Sequence, residues 1–218
     1  SFVELWECKS DVVYFTPSQT CGGNLRDLVF LKIINWRNKK CIVHIHGGYY
    51  RQLIDHDVPS WQRKMNYQAV RRLAGGIVLG HSLHSIFEGM LPDDRIFVCP
   101  NCVDDAFIAP SIDEKINKIK DGGALHILYL SNFIESKGYR EVLELAKIAA
   151  DRGDSDKFVF HFAGKFFDPA EQTYFEEHSK GLPNVVYHGI VGGQDKVDLL
   201  NQCHLFSLLS RYPNEGQP

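Results

Sequence analysis

The chain has 218 residues, of which 44% are hydrophobic, so it can bury the core of one large domain or of two small ones. Its 24 basic and 27 acidic residues leave a formal net charge of −3, which argues against nucleic acid as a partner because no general positive field is present. No apolar run approaches the roughly 18 residues of a membrane span, and the start of the chain lacks the features of a secretory signal. We therefore expect a cytoplasmic protein.

Four apolar, strand-like runs alternate with helical patterns in the first half of the chain. Strands are predicted at 11–16, 41–46, 76–80 and 95–99, and helices at 24–37, at about 61–73 and from about residue 82 onward. Short strands rich in β-branched and aromatic residues, with helices between them, are typical of a parallel sheet with right-handed crossovers.

A charged segment at 110–123 separates this first half from a second alternation. It lacks a large apolar face and ends in a glycine pair, as expected of a linker between domains. Beyond it, strands are predicted at 125–130, 157–162, 184–189 and 204–210, and helices at 138–151, 169–180 and 193–202. The sequence therefore predicts two Rossmann-like, doubly wound α/β domains at 1–109 and 124–218.

Small, polar and charged residues follow the predicted strands. In doubly wound sheets ligands bind beyond the carboxyl ends of the strands, so these residues predict a cleft between the two domains. His46 follows one strand and is itself followed by two glycines, which allow a ligand to approach its ring. Lys137 precedes Gly138, where a helix begins, and the free N–H groups of a helix start together with a lysine favour a phosphate.

Metal binding is not favoured by any of the candidate motifs. The Cys99–Cys102 pair lacks a second pair of ligands, and His44 and His46 share a sheet face without an evident third ligand. The two D-x-D motifs, at 55–57 and 154–156, lie in polar surroundings and are interpreted as turns and helix caps. We therefore expect no metal site.

Four stretches in order resemble the glycosyltransferases of family 4, which are two-domain enzymes with the GT-B fold. "VHIHGG" resembles the strand and histidine of the first domain, and "VCPNCVDDAF" resembles the segment that closes that domain. "LYLSNFIESKG" resembles the phosphate-binding start of the second domain. "SRYPNEGQP" resembles the first part of a motif with two glutamates separated by seven residues.

The resemblance implies a role for each matching residue. His46 would face the transferred sugar and the acceptor, and Glu215 would bind the sugar of the donor; these two are the expected catalytic residues. Lys137 and Asn132 would contact the donor diphosphate, although many relatives have an arginine at the position of Asn132. A further three residues would bind the donor and its nucleobase, namely Gly164, Gly189 and Ile190.

The resemblance also implies that the chain is the central portion of a longer enzyme, with both domains incomplete. The second glutamate of the motif would lie eight places after Glu215, beyond Pro218. The strand and glycine-rich loop that normally open the first domain have no counterpart. Whether this 218-residue form is active is left open.

The expected function is transfer, with retention of configuration, of a sugar from a nucleotide diphosphate donor to a glycan or lipid-linked acceptor in cell-surface polysaccharide synthesis. No metal and no cofactor would be needed, and the protein would be cytoplasmic or peripheral at the inner face of the membrane. Two alternatives stay open, namely a non-catalytic two-lobed binding protein and a GT-B nucleotide-sugar epimerase. Tyr49, Tyr50 and Trp61 either stack on sugar rings or pack within the first domain.

Overall fold

The computed structural model describes residues 6–7, 9–103, 113, 116–117, 122–212 and 215–216. The chain divides into two compact units: the first comprises Ser1–Cys102 with Pro213–Pro218, and the second comprises Val103–Tyr212. Each unit contains a four-stranded sheet whose neighbouring strands are all parallel, which confirms the predicted fold class. The predicted linker at 110–123 lies largely outside the described residues, so the domain boundaries at 109 and 124 stay a prediction. No described helix is long and apolar enough to cross a membrane.

The first unit has a sheet in the order β1-β2-β3-β4. Its elements are β1 (Val12–Phe15), α1 (Cys21–Trp36), β2 (Lys40–Ile45), α2 (Ser60–Val70), β3 (Gly75–Val78) and β4 (Ile96–Val98). Helix α1 begins where the Thr20 hydroxyl accepts a hydrogen bond from the N–H of Gly23, as a helix N-cap does. The α-helix expected from residue 82 is instead the 3₁₀-helix His81–Phe87.

The aromatic segment after β2 was not predicted to be helical. Tyr50–Gln52 form a helical turn that continues as a π-helix at Leu53–Asp57. Tyr50 is only 3% exposed and therefore packs in the core, whereas Trp61 is 54% exposed. The hydroxyl of Tyr49 donates to Asp57 over 2.6 Å. Of the three aromatic residues, only Tyr50 is thus fixed as a packing residue.

The second unit has its strands in the order β7-β6-β5-β8, so the order reverses direction at β5. Its elements are β5 (Leu125–Leu130), α3 (Tyr139–Asp151), β6 (Phe158–Ala163), α4 (Pro169–Ser179), β7 (Val185–Tyr187), α5 (Gly193–Gln202) and β8 (Leu205–Phe206). Strand β8 is much shorter than the predicted 204–210. The chain leaves the sheet after β8, and the N–H of Arg211 donates to the carbonyl of Ser136 over 2.6 Å.

Aromatic side chains build the core of the second unit. Tyr129, Phe133, Tyr139, Phe162 and Phe175 are each at most 3% exposed, and their ring centroids lie 5.1 to 6.4 Å apart in tilted and edge-to-face pairs. Such arrangements place the positive edge of one ring against the negative face of another and add to the benefit of burial. The loops that follow β5 and β6 therefore begin next to a closely packed aromatic core.

Three histidines of the second unit form a hydrogen-bonded row; His126 lies on β5, His161 lies on β6 and His188 directly follows β7. Nδ1 of His126 lies 2.8 Å from Nε2 of His161, and Nδ1 of His161 lies 2.9 Å from Nε2 of His188. His161 is buried, and its burial, together with the nearby imidazoles of His126 and His188, lowers its pKa to about 4. The central ring of the row is therefore neutral at physiological pH.

Candidate functional site

A cavity of about 260 Å³ lies at the carboxyl edge of the sheet in the second unit. It is lined by the last residue of β5, by residues that follow the neighbouring strands β5, β6 and β7, and by one residue of α5. The lining residues are Leu130, Ser131, Asn132, Gly164, Lys165, Ile190, Val191 and Lys196. Three of the predicted donor-binding residues, Asn132, Gly164 and Ile190, therefore line one cavity. This edge is where ligands bind in open α/β sheets.

Gly164 holds the loops around this cavity together. Its N–H donates to the carbonyl of Gly189 over 2.8 Å, so Gly189 is linked to the same set. A Cβ atom added at position 164 would lie 1.9 Å from the carbonyl oxygen of Ser131, and the φ angle of Gly164 is +151°. Only glycine allows both the close approach and this backbone conformation.

The cavity combines apolar and cationic groups. Ile190 is 73% exposed and, with Leu130 and Val191, gives the cavity apolar surface. Lys165 and Lys196 add two positively charged side chains, and the eight lining residues that the structure describes include no acidic one. Apolar surface beside positive charge suits a ligand with a flat ring and anionic groups. Lys165 was among the residues after the predicted strands but was not assigned a role, and Lys196 was not predicted at the site.

Lys137 lies elsewhere in the second unit and is not among the residues that line this cavity. It ends the 3₁₀-turn Glu135–Lys137, and its Nζ lies 5.3 Å from the centre of the Tyr212 ring. The following residue, Gly138, has a φ angle of +81° and packs against the carbonyl of Leu209. The loop before α3 is thereby held to the segment that follows β8.

The expected catalytic histidine lies in the first unit. His46 follows β2 and is exposed, and its ring stacks on that of buried His44 with 3.9 Å between the ring centres. The hydroxyl of Tyr14 lies 2.5 Å from Nδ1 of His44. Burial, and to a lesser extent the charge of His46, lowers the pKa of His44. Its neutral form is therefore favoured, and its ring supports that of His46 by contact.

The chain segment with the second expected catalytic residue approaches His46. Glu215 precedes Gly216, and a Cβ atom added to Gly216 would lie 2.6 Å from the carbonyl oxygen of His46 and 2.9 Å from Cα of Gly47. All four residues belong to the first unit. The structure therefore brings the backbone at 215–216 to the backbone at 46–47, although these segments are far apart in sequence.

A metal centre has no basis in the described part of the chain. No group of three or more His, Cys, Asp or Glu side chains there is arranged to hold a metal ion. The rings of His44 and His46 are tilted by 33° relative to each other. The expectation that the protein works without a metal or cofactor stays a prediction.

Comparison with known proteins finds similarity at the level of structure. The sequence matches no protein-family model and no curated protein. HepE from Anabaena in complex with UDP is 15% identical with a TM-score of 0.66, and the match covers 98% of this chain and 56% of HepE. A glycosyltransferase from Rickettsia africae is 19% identical with a TM-score of 0.62, over 94% of this chain and 52% of its own.

A third similar structure is a UDP-forming α,α-trehalose-phosphate synthase from Burkholderia xenovorans in complex with glucose-6-phosphate. It is 12% identical with a TM-score of 0.63, over 95% of this chain and 57% of its own. The chain thus spans little more than half the length of these three structures. It spans 37% of the chain of TarM, a fourth similar structure. At such identities the likeness establishes the fold, which is that of GT-B proteins. The assignment to family 4 stays a prediction.

Proposed function

We propose that the protein is a retaining glycosyltransferase that moves a sugar from a nucleotide diphosphate donor to a glycan or lipid-linked acceptor, in cell-surface polysaccharide synthesis. The cavity of the second unit carries this proposal, because residues from three strand ends meet there beside two lysines. The fold adds support, since similar structures include HepE with UDP-glucose and HepE with UDP.

Donor binding would use the loops of the second unit. The exposed side chain of Ile190 offers apolar surface to a nucleobase, and nothing lies within 4 Å of a Cβ atom added at Gly189, which leaves room beside that backbone. Asn132 can donate hydrogen bonds from its side-chain amide to a phosphate oxygen. Lys137 would neutralise charge on the departing nucleotide diphosphate, where fixed positive groups lower the barrier most.

Transfer would take place beside His46 and Glu215. The bond between the anomeric carbon and the phosphate oxygen breaks, and the acceptor oxygen forms its bond on the same face of the sugar. The acceptor proton passes to the departing phosphate, so no protein carboxylate is needed as a nucleophile. His46 would contact the sugar and the acceptor, and Glu215 would hold the sugar of the donor. No metal or cofactor takes part in this proposal.

A cytoplasmic enzyme at the inner face of the membrane would meet both substrates of this reaction. Nucleotide sugars are dissolved in the cytoplasm, and a lipid-linked acceptor is held at the membrane surface. This location is part of the proposal and rests on the chemistry of the substrates.

The test is transfer from labelled UDP- and GDP-sugars to a panel of glycan and lipid-linked acceptors, with the anomeric configuration of the product determined by NMR. We expect one donor to be consumed and the product to retain configuration. His46→Ala should abolish transfer and leave nucleotide binding intact, whereas the exposed His178 gives a control variant, His178→Ala. Absence of transfer from every donor, or a changed free donor without acceptor, would contradict the proposal; the second result would indicate an epimerase.

A further inference from the structure

Lys165 and Lys196 give the cavity of the second unit a cationic character that the family resemblance does not assign. The resemblance places only Lys137 and Asn132 at the donor diphosphate, and Asn132 is neutral where many relatives have an arginine. We propose that Lys165 and Lys196 bind the diphosphate of the donor and supply the charge that Asn132 lacks. This inference rests on the proposed function and names further donor-binding residues for it.

The two lysines come from different elements. Lys165 is the second residue after β6 and is exposed, with its Nζ 4.8 Å from the centre of the Phe167 ring. Lys196 lies in the first turn of α5 and is half-buried. The parallel sheet brings these elements to one edge, so both side chains line the same cavity of about 260 Å³. Their shared position is a consequence of the fold and not of proximity in sequence.

The charge of the cavity favours an anionic ligand. Lys165 and Lys196 both line the cavity, and a fixed positive charge attracts an anionic ligand. Lysine binds phosphate as a compact point charge, so it does not require the planar geometry that an arginine needs.

The apolar part of the cavity selects among anions. Ile190, Val191 and Leu130 offer surface that a nucleobase can cover, and a free phosphate cannot. A nucleoside diphosphate satisfies both parts of the lining, because its base is apolar on its faces and its phosphates are anionic. The lysines should therefore determine how much the phosphates contribute to the affinity for a nucleoside diphosphate. The apolar residues should determine how much the nucleoside contributes to that affinity.

The test measures the affinity of the protein for UDP and for uridine by calorimetry, at low and high salt. Lys165→Met and Lys196→Met remove the charge and keep the side-chain length. Each should weaken UDP binding about tenfold and reduce its salt dependence, since each removes one ammonium–phosphate contact. Binding of uridine should change little. Lys147→Met, at an exposed site on α3, is the control and should leave UDP binding as it is.

The outcomes separate this inference from the proposed function. If the protein binds UDP and the Lys165→Met/Lys196→Met double variant binds it equally well, the inference is wrong and the proposed function stands. Equal losses for UDP and uridine would also overturn it, because the lysines would then only shape the cavity. Failure of the unmodified protein to bind any nucleotide would overturn both. If the double variant is unfolded, the single variants Lys165→Met and Lys196→Met decide instead, and unchanged affinity for UDP in both would overturn the inference.

Discussion

The backbone of Gly164 lies against the carbonyl oxygen of Ser131, so close that a Cβ atom at position 164 would be 1.9 Å from that oxygen. The contact joins the loops after β5 and β6 at the wall of the candidate donor cavity. Gly164→Ala should therefore displace one loop, destabilise the protein by about 3 kcal/mol and weaken nucleotide binding. Thermal unfolding and calorimetry measure the two effects.

Gly181 is the matched control for this substitution. Its φ angle is +81°, but nothing lies within 4 Å of an added Cβ atom. Gly181→Ala should cost only the backbone strain, about 1 kcal/mol, and should not affect nucleotide binding. Equal losses of stability in the two variants would show that the contact with Ser131 does not exclude a side chain at position 164.

A buried amide network links α1 to α2 in the first unit. Asn24 and Asn66 exchange two side-chain hydrogen bonds of 2.8 Å, and Gln62 donates to Asn24 over 2.9 Å. Asn66→Ala would remove both bonds between Asn24 and Asn66 in a buried position, and only the bond from Gln62 would remain. We expect a loss of about 2 kcal/mol in the free energy of unfolding, measured by urea denaturation.

Gln68→Ala is the control for the amide network. Gln68 lies on the same helix, two residues after Asn66, and is exposed. This substitution should change the free energy of unfolding by less than about 0.5 kcal/mol. A comparable loss in both variants would mean that the amide hydrogen bonds contribute nothing specific.

The histidine row predicts how stability depends on pH. Because burial and the neighbouring histidines lower the pKa of His161 to about 4, the unfolded chain binds a proton below pH 6.5 that the folded chain does not bind. Stability should therefore fall as the pH drops from about 6.5 to 4, by about 3 kcal/mol from this group. His188, whose pKa is also lowered by burial, contributes in the same direction.

His161→Gln removes the titrating group and keeps polar atoms between His126 and His188. The variant should lose most of the decrease in stability between pH 6.5 and pH 4, which denaturant unfolding at several pH values would measure. Exposed His178 again provides the control, since His178→Gln should keep the full decrease. An unchanged pH dependence in His161→Gln would contradict the account of the row.

Gly216→Ala tests the approach of the chain segment at 215–216 to His46. The added Cβ atom would lie 2.6 Å from the carbonyl oxygen of His46, so the segment must move. We expect transfer to fall at least about tenfold without a change in global unfolding, because misplaced reacting groups cost rate more than stability. Gly22→Ala, where nothing lies within 4 Å, should leave the rate of transfer unchanged.

The sequence predicted the elements best where local pattern and tertiary structure agree. Strand β5 and helix α5 have the predicted bounds, because an apolar run interrupted only by His126 and a helix-initiating glycine define them locally. The 3₁₀-helix at His81–Phe87 and the short β8 differ from prediction because packing outside those segments sets their geometry.

The candidate site was predicted in part for a similar reason. Asn132 and Gly164 each follow a predicted strand, so their position at the sheet edge could be inferred from the alternation of elements, whereas Ile190 was implied only by the family resemblance. Lys196 lies inside a helix, and only the orientation of that helix against the sheet brings it to the cavity. The close approach of Gly216 to His46 depends on the path of a distant segment, which no local pattern encodes.

The most direct test of the central claim is amide hydrogen exchange of the protein with and without UDP. Binding at the candidate cavity should slow exchange at 131–132, 164–165 and 190–191, because a bound nucleotide covers these loops and stabilises them. The exposed face of α4 should exchange at the same rate in both samples. Protection confined to other segments, or no protection at saturating UDP, would contradict the assignment of this cavity to the nucleotide sugar.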